Sequence, residues 1–343
     1  MKTYTDVVPG NDRGLSNSTV RSLYRQSPDS IWIGTDGGGI NLFNPRTEKF
    51  THYLSTWNDK IAFISGFTPG KLLISLFSKG VFIFNPATGE KQPFTIVDKE
   101  TTTQLCNRGK SVNLYQNTPN TVLLLGDHVY QYHLKEKKFD KVTGEEGKSI
   151  VGTLVPFKHE NNRTYINDFK HIYELHDGDS LLQTTFECYQ DTVISSASHD
   201  EHGDFWIGSN FGLIHYNPVS QKQTHILTNL FTEVNMVQCD QRGKVWIGAD
   251  NLLFAWLIQE QKFVLFGESN GAIQNEYLPN ARLVNNEGDV YIGGVKGMLR
   301  IDGQLLLNTS EMPELQLLDI IINGEPAPVS YTHLRAHETS QDL

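Results

Sequence analysis

Cysteine is scarce: Cys106, Cys188 and Cys239 are the only three in 343 residues. Their odd number and wide spacing exclude a disulfide framework and a CxxC metal pair, which leaves buried free thiols as the default. Positive charge is also short, with 29 Lys and Arg against 39 Asp and Glu, a net charge of −10, and no basic block. Nucleic-acid contact is therefore not expected. No run of 18 apolar residues is present to span a bilayer, so no membrane contact is expected of this stretch. The opening "MKTYTDVVPGNDRG" lacks the apolar centre of a signal peptide, which leaves a cytoplasmic protein or an interior piece of a longer chain. Helical periodicity, a Gly-x-Ser-x-Gly elbow and an HExxH pair are missing as well. No catalytic residue, metal or cofactor is assigned.

What is present is a repeat. "IWIG" at Trp32 is followed by "LLIS" at Leu73, "VLLL" at Leu123, "TYIN" at Tyr165, "FWIG" at Trp206, "VWIG" at Trp246 and "VYIG" at Tyr291. These seven anchors lie 40 to 50 residues apart, a period that with β-branched and aromatic composition indicates four-stranded propeller blades. Three positions before each anchor stands Asp29, Gly70, Asn120, Asn162, Gly203, Gly243 or Gly288. All are residue types that tolerate positive φ, as a tight hairpin demands. Alternating third strands follow, such as "GINLFNP" and "GLIHYNP", and then short outer strands such as "EKFTHYL" and "QKFVLF".

The Gly-rich "GTDGGG" imitates a phosphate loop. A phosphate loop needs a following helix whose N-terminus faces the anion, and here a strand follows. Gly37, Gly38 and Gly39 are expected to join second and third strands of the first blade. The seventh unit runs out after two or three strands, and "KTYTDV" (2–7) resembles an outer strand without a blade. The N-terminal strand is therefore expected to complete the last blade, which removes an open sheet edge. The expected fold is all-β, a seven-bladed β-propeller closed by its N-terminal strand over residues 1–305.

"LSNSTVRSLYRQSPDSIWIGTDGGGINLFNP" (15–45), "FWIGSNFGLIHYNP" and "KVWIGADNLLFAW" resemble the two-component-regulator propeller repeat of hybrid histidine kinases in gut Bacteroidetes. "NGAIQNEYLPNARLVNNEGDVYIGGVKGMLRI" (270–301) is similar to the closing repeat of that family's second propeller. "PELQLLDIIINGEPAPV" (313–329) resembles the start of the immunoglobulin-like sandwich that follows it, which places the first sandwich strand within 306–329. Blades three and four depart from the pattern in lacking the Trp and the WIG triplet. The resemblance implies a periplasmic ligand-sensing region of a membrane-anchored sensor that regulates transcription, with oligosaccharide ligands and a homodimeric full-length form. By this reading the fragment is not an enzyme and the full-length protein is a sensor histidine kinase. "SYTHLRAHETSQDL" (330–343) breaks the strand pattern, looks like a translated adapter tail and is set aside as non-native.

Two sets of residues invite a chemical role. "SHDEHGDFW" gathers His199, Asp200, Glu201, His202 and Asp204, which in isolation suggests a metal cluster. It aligns with "CDQRGKVW" and "VNNEGDVY", the first hairpin turns of later blades, so a solvated turn is the preferred reading. A ligand site in a propeller is expected at one mouth of the central channel, where loops converge. The loops between second and third strands contribute Asp36, Phe77, Lys79, Phe169, Asn210, Phe211, Asp250, Asn251 and Lys296. The loop entering the last blade adds Gln274, Asn275, Glu276 and Tyr277. Aromatic faces beside amides and acids suit a sugar. A propeller-based polysaccharide-active enzyme and a protein-interaction scaffold remain as alternatives, because one fold hosts many activities.

Overall fold

The computed structural model describes residues 1–7, 11–54, 59–94, 112–126, 128–148, 150, 155–160, 163–189, 191–226, 228–240, 242–305, 321–322 and 325–326. Contacts divide the chain into two units, Met1–Gln304 and Leu305–Leu343. The first contains seven four-stranded antiparallel sheets, the seven-bladed β-propeller that the repeat spacing implies. The inner strands of blades one to seven are Val20–Ser27, Ile61–Gly66, Asn113–Thr118, Val155–Glu160, Ile194–His199, Val234–Cys239 and Tyr277–Val284. Each touches the inner strand of the next blade, and the last touches the first.

In blades one to six the four strands pair in chain order from inner to outer. Blade seven takes three strands from the C-terminal end of the unit and its outer strand, Lys2–Tyr4, from the N-terminus. Lys2 pairs with Arg300 and Tyr4 with Met298, so the expected closure is present.

The core lies between blades, not within them. Tyr4, Phe43, Phe50, Tyr291 and Met298 join blade seven to blade one, whereas Trp32, Ile64, Leu72 and Phe84 join blade one to blade two. Trp206, Val237, Ile247 and Phe254 do the same for blades five and six. Each such side chain contributes about 1.5–3 kcal/mol by burial. A second strand pressed on both faces has no solvated side, which is why "IWIG", "FWIG" and "VWIG" read as continuous apolar runs without alternation.

The glycine of that triplet has a steric cause. A Cβ on Gly34 would stand 2.7 Å from Ile61 Cγ2, on Gly208 2.6 Å from Val234 Cγ1, on Gly248 2.8 Å from Tyr277 Cβ, and on Gly293 2.4 Å from Val20 Cγ1. In every case the obstructing residue begins the inner strand of the following blade. The glycine thus sets how closely successive blades approach.

Two turns differ from expectation. Gly70, Gly203, Gly243 and Gly288 do take positive φ, at 77°, 93°, 73° and 85°, but Asp29 and Asn120 do not. Pro28 and Pro119 precede them, and proline at the first central position suits a type I turn, in which neither central residue needs positive φ. A type I turn mismatches the strand twist, and the register of both hairpins shifts beside it, between Arg25 and Ser27 and between Gln116 and Thr118. Asn162 lies outside the described residues.

Two three-residue 3₁₀ turns, Glu145–Gly147 and Glu268–Asn270, are the only helical elements among the described residues. In the second unit, Ile321–Ile322 pairs with Glu325–Pro326 as a short hairpin. The rest of the sequence assigned to the sandwich, and the tail 330–343, lie outside the described residues.

Candidate functional site

Around the axis the inner strands leave a cavity of about 730 Å³. Its wall carries the aromatic faces of Phe63, Tyr115 and Phe157, the amides Gln238 and Asn280, and the charged Arg25, Glu201, Asp240 and Arg282. The residues it takes from blades five and six lie at the end of the inner strand next to the first hairpin turn. Burial pushes the Tyr115 hydroxyl above its ordinary range, so it enters the site as a neutral donor.

Two side chains run along the channel wall, each reaching past an intervening blade. Tyr24 of blade one donates its hydroxyl to Gln116 Oε1 of blade three at 3.1 Å. Gly66 of blade two leaves space for this contact, since a Cβ there would lie 2.3 Å from Tyr24 Oη and 2.0 Å from Gln116 Oε1. Arg282 of blade seven donates from Nη2 to the Ala197 carbonyl of blade five. These struts hold the lining in place before any ligand arrives, which is the rigidity a preorganised site requires.

The hairpin turns at this end are also built from side chains. Asp200 Oδ1 accepts the backbone N–H groups of His202 and Asp204 at 2.9 and 3.0 Å, while Oδ2 accepts the Trp206 indole N–H at 2.8 Å. Asp240 repeats the pattern with Arg242, Lys244 and Trp246 at 2.8, 3.0 and 3.2 Å. In blade one Gln26 accepts from the Trp32 indole at 2.8 Å. In blade seven Asn285 stands six residues before Tyr291 and accepts the Asp289 N–H at 2.7 Å. The "SHDEHGDFW" stretch is such a turn, but its key residue is not solvated, since Asp200 is only 4% exposed. Its carboxylate is consumed by the turn and the indole. His215 and Asn217 engage Asp204 at 2.7 and 2.6 Å, which ties the last acid of the stretch to the third strand.

None of the thirteen loop residues named from the sequence lines the channel cavity. They lie at the opposite ends of the strands, where the second-to-third loops that carry them are bonded to connections entering inner strands. The Asp36 N–H donates to the Thr19 carbonyl at 3.0 Å, Asn210 N–H to Val193 at 3.2 Å and Asn275 N–H to Asn251 at 2.8 Å. Burial by itself would raise the Asp36 carboxyl, yet the hydrogen bonds and charges of Arg21 and Lys60 outweigh it and hold the group below its ordinary value. Lys79 pairs with buried Asp59 at 2.6 Å, an ion pair that Lys91 completes from the outer strand.

Asp250 and Asn251 have φ of 49° and 63° and form a two-residue hairpin of type I′. Asn275 is buried, with its Oδ1 accepting the Lys296 N–H at 2.8 Å. Tyr277 is 2% exposed and donates its hydroxyl to the Ile273 carbonyl, so its ring is not offered to a ligand. Glu276, Lys296 and Gln274 are exposed, as are Phe77, Phe169 and Phe211. Asn210 and Phe211 meet in a depression, a cleft of about 240 Å³ shared with Ile226, Thr228 and Phe231.

The channel set of Tyr24, Tyr115, Gln116, Gln238, Asn280 and Arg282 was not found from the sequence. A faint signal exists, in that "LYQN", "MVQC" and "NARLV" place long polar side chains on inner strands, where the second strands are almost wholly apolar. No helix among the described residues is long and apolar enough to cross a membrane.

No family model matches the chain. A curated relative, Histidine kinase P4 of Formosa agariphila, is 21% identical over 349 residues, covering 92% of this chain and 24% of its own length. Among solved structures, the extracellular domain of the hybrid two component system BT3049 from B. thetaiotaomicron superposes with a TM-score of 0.70 at 17% identity. The match covers 96% of this chain and 46% of that one. The extracellular domain of BT4673 from the same organism follows, with TM-score 0.64 and 14% identity over 88% of this chain and 40% of that one. The chain shares the propeller fold of these extracellular domains and spans about a quarter of the curated relative's length.

Proposed function

We propose that this chain is the ligand-sensing propeller of a hybrid two-component sensor histidine kinase, placed in the periplasm and binding a soluble oligosaccharide in its central channel. The cavity carries the reading: about 730 Å³ of space at the axis, walled by aromatic faces for sugar stacking and by amides and hydroxyls for orientation. The shared fold of extracellular two-component domains and the kinase relative support the sensory context. The fragment acts by binding, and the phosphotransfer chemistry belongs to another part of the longer protein. Occupancy of a rigid ring alters output only where ligand has different affinities for two arrangements of the full-length homodimer.

A thermal-shift screen with neutral and acidic oligosaccharides tests this. At least one glycan class is expected to raise the melting temperature of the wild type, and Asn280→Trp, which narrows the channel, is expected to diminish the shift. If no saccharide binds, or if the protein turns a saccharide over, the sensory reading fails. A shift left unchanged in Asn280→Trp counts against the channel and moves the search to the cleft of Asn210 and Phe211. Sedimentation of the full-length form with and without the bound glycan tests the dimer step, and an unchanged association constant removes it.

A further inference from the structure

We infer that the channel holds an anion-recognition point at Arg282, taking the carboxylate of an organic ligand. Arg282 lines the cavity, donates from Nη2 to the Ala197 carbonyl, and leaves Nη1 buried with no acceptor. A buried cation with an unmade hydrogen bond is costly, and native structures rarely keep one without a use. No ion pair involves Arg282 among the described residues.

The neighbouring groups do not supply the missing charge. Asp240 uses both oxygens on its own turn, on the Trp246 indole and on Lys244. Glu201 is exposed and faces His202 at 3.7 Å. The Cys239 thiol would neutralise Arg282 only as a thiolate, and burial drives its pKa far upward, so it stays protonated. Arg25, the other cation on the wall, is turned to Asn286 Oδ1 at 2.8 Å. Desolvation lowers the Arg282 pKa to about 10, which still leaves the group charged at neutral pH. A carboxylate entering the channel offers the planar acceptor pair that a guanidinium fits.

The inference deepens the channel-binding reading but does not require a sugar. The test follows the Nε–H resonance of Arg282 in the whole chain at constant ionic strength in sodium chloride. The probes are sodium glucuronate, its neutral methyl ester and sodium acetate. Glucuronate is expected to shift the resonance saturably and the ester to leave it unmoved, with Arg282→Met weakening glucuronate at least tenfold. Arg282→Lys, which retains a charge, is expected to recover part of that affinity and separates lost pairing from lost folding. Acetate binding without glucuronate binding supports the anion point while counting against an acidic sugar. Equal responses to acid and ester, or none to either anion, overturn the inference, and ester binding alone leaves the oligosaccharide reading standing without it.

Discussion

Removing the Asp200 carboxylate tests whether the turn and the indole are what this residue serves. Asp200→Ala leaves the Trp206 indole N–H, buried at 3% exposure, without an acceptor. That orphan costs about 1–3 kcal/mol, and the two turn N–H bonds add about 0.5–1.5 kcal/mol each, reduced where water replaces them. A loss of about 3–4 kcal/mol follows. Asp200→Asn keeps an oxygen for the turn but presents an NH₂ to the indole, so its cost is the unsatisfied pair alone, about 1–3 kcal/mol. Blade seven shows the same logic: Asn285 occupies the equivalent position where the anchor is Tyr291, which has no indole N–H. The cost of Asp200→Asn is therefore expected to fall below about 0.5 kcal/mol in a Trp206→Phe background, a coupling a double-mutant cycle isolates. Urea unfolding followed by circular dichroism measures each midpoint, with exposed Glu201→Ala as a control expected within about 0.5 kcal/mol of the wild type. Equal losses for the Ala and Asn variants, or no coupling to Trp206, would refute the reasoning.

Other expectations follow from the same contacts. Gly208→Ala places a methyl 2.6 Å from Val234 Cγ1 and 2.9 Å from Val237 Cγ2, so overpacking between blades five and six is expected to cost about 1–3 kcal/mol in the same unfolding assay. Burial opposes ionisation of Asp59, but Lys79 and Lys91 outweigh it and depress its pKa. A depressed carboxyl stabilises the fold above its unfolded pKa, about 3.9, and the contribution is lost as pH falls through the lower folded value. Stability should therefore drop below about pH 4 in the wild type and drop less in Asp59→Asn, as read from urea midpoints across pH 2.5–6. Burial pushes the Cys188 thiol up to about 11 and Cys239 higher still, so iodoacetamide at about pH 8 is expected to leave both unmodified in native protein. Peptide mass spectra should show both alkylated after denaturation, and native labelling of Cys239 would contradict its burial.

The blade repeat was legible because each unit meets the same physical demand in the same place. The Trp or Tyr anchor, the glycine two residues later and the positive-φ turn at Gly203, Gly243 and Gly288 are all local consequences of packing a blade against the next. The acceptor six residues before each Trp was equally present in the sequence, as Gln26, Asp200 and Asp240. Its role was hidden because an Asp before a Gly turn is already explained by turn chemistry. The Asp29 and Asn120 turns were misread for a related reason. Both residue types tolerate positive φ, and only the preceding prolines reveal that they need not use it.

Which residues line the axial cavity was not legible, and strand order explains why. Neighbouring strands lie about 4.7–4.9 Å apart, so a loop joining second and third strands sits roughly 5–10 Å outward of the inner strand. Asp36, Lys79, Asn210 and Lys296 therefore surround the axis at a distance and bond to connections instead of converging. The channel wall comes instead from side chains on inner strands, and which of them meet depends on separations that periodicity does not encode. Arg282 and Ala197 are 85 residues apart, and Tyr24 and Gln116 are 92 apart, with a whole blade between the partners in both cases. A repeat specifies the relation of each blade to the next; contacts that skip a blade belong to the closed ring.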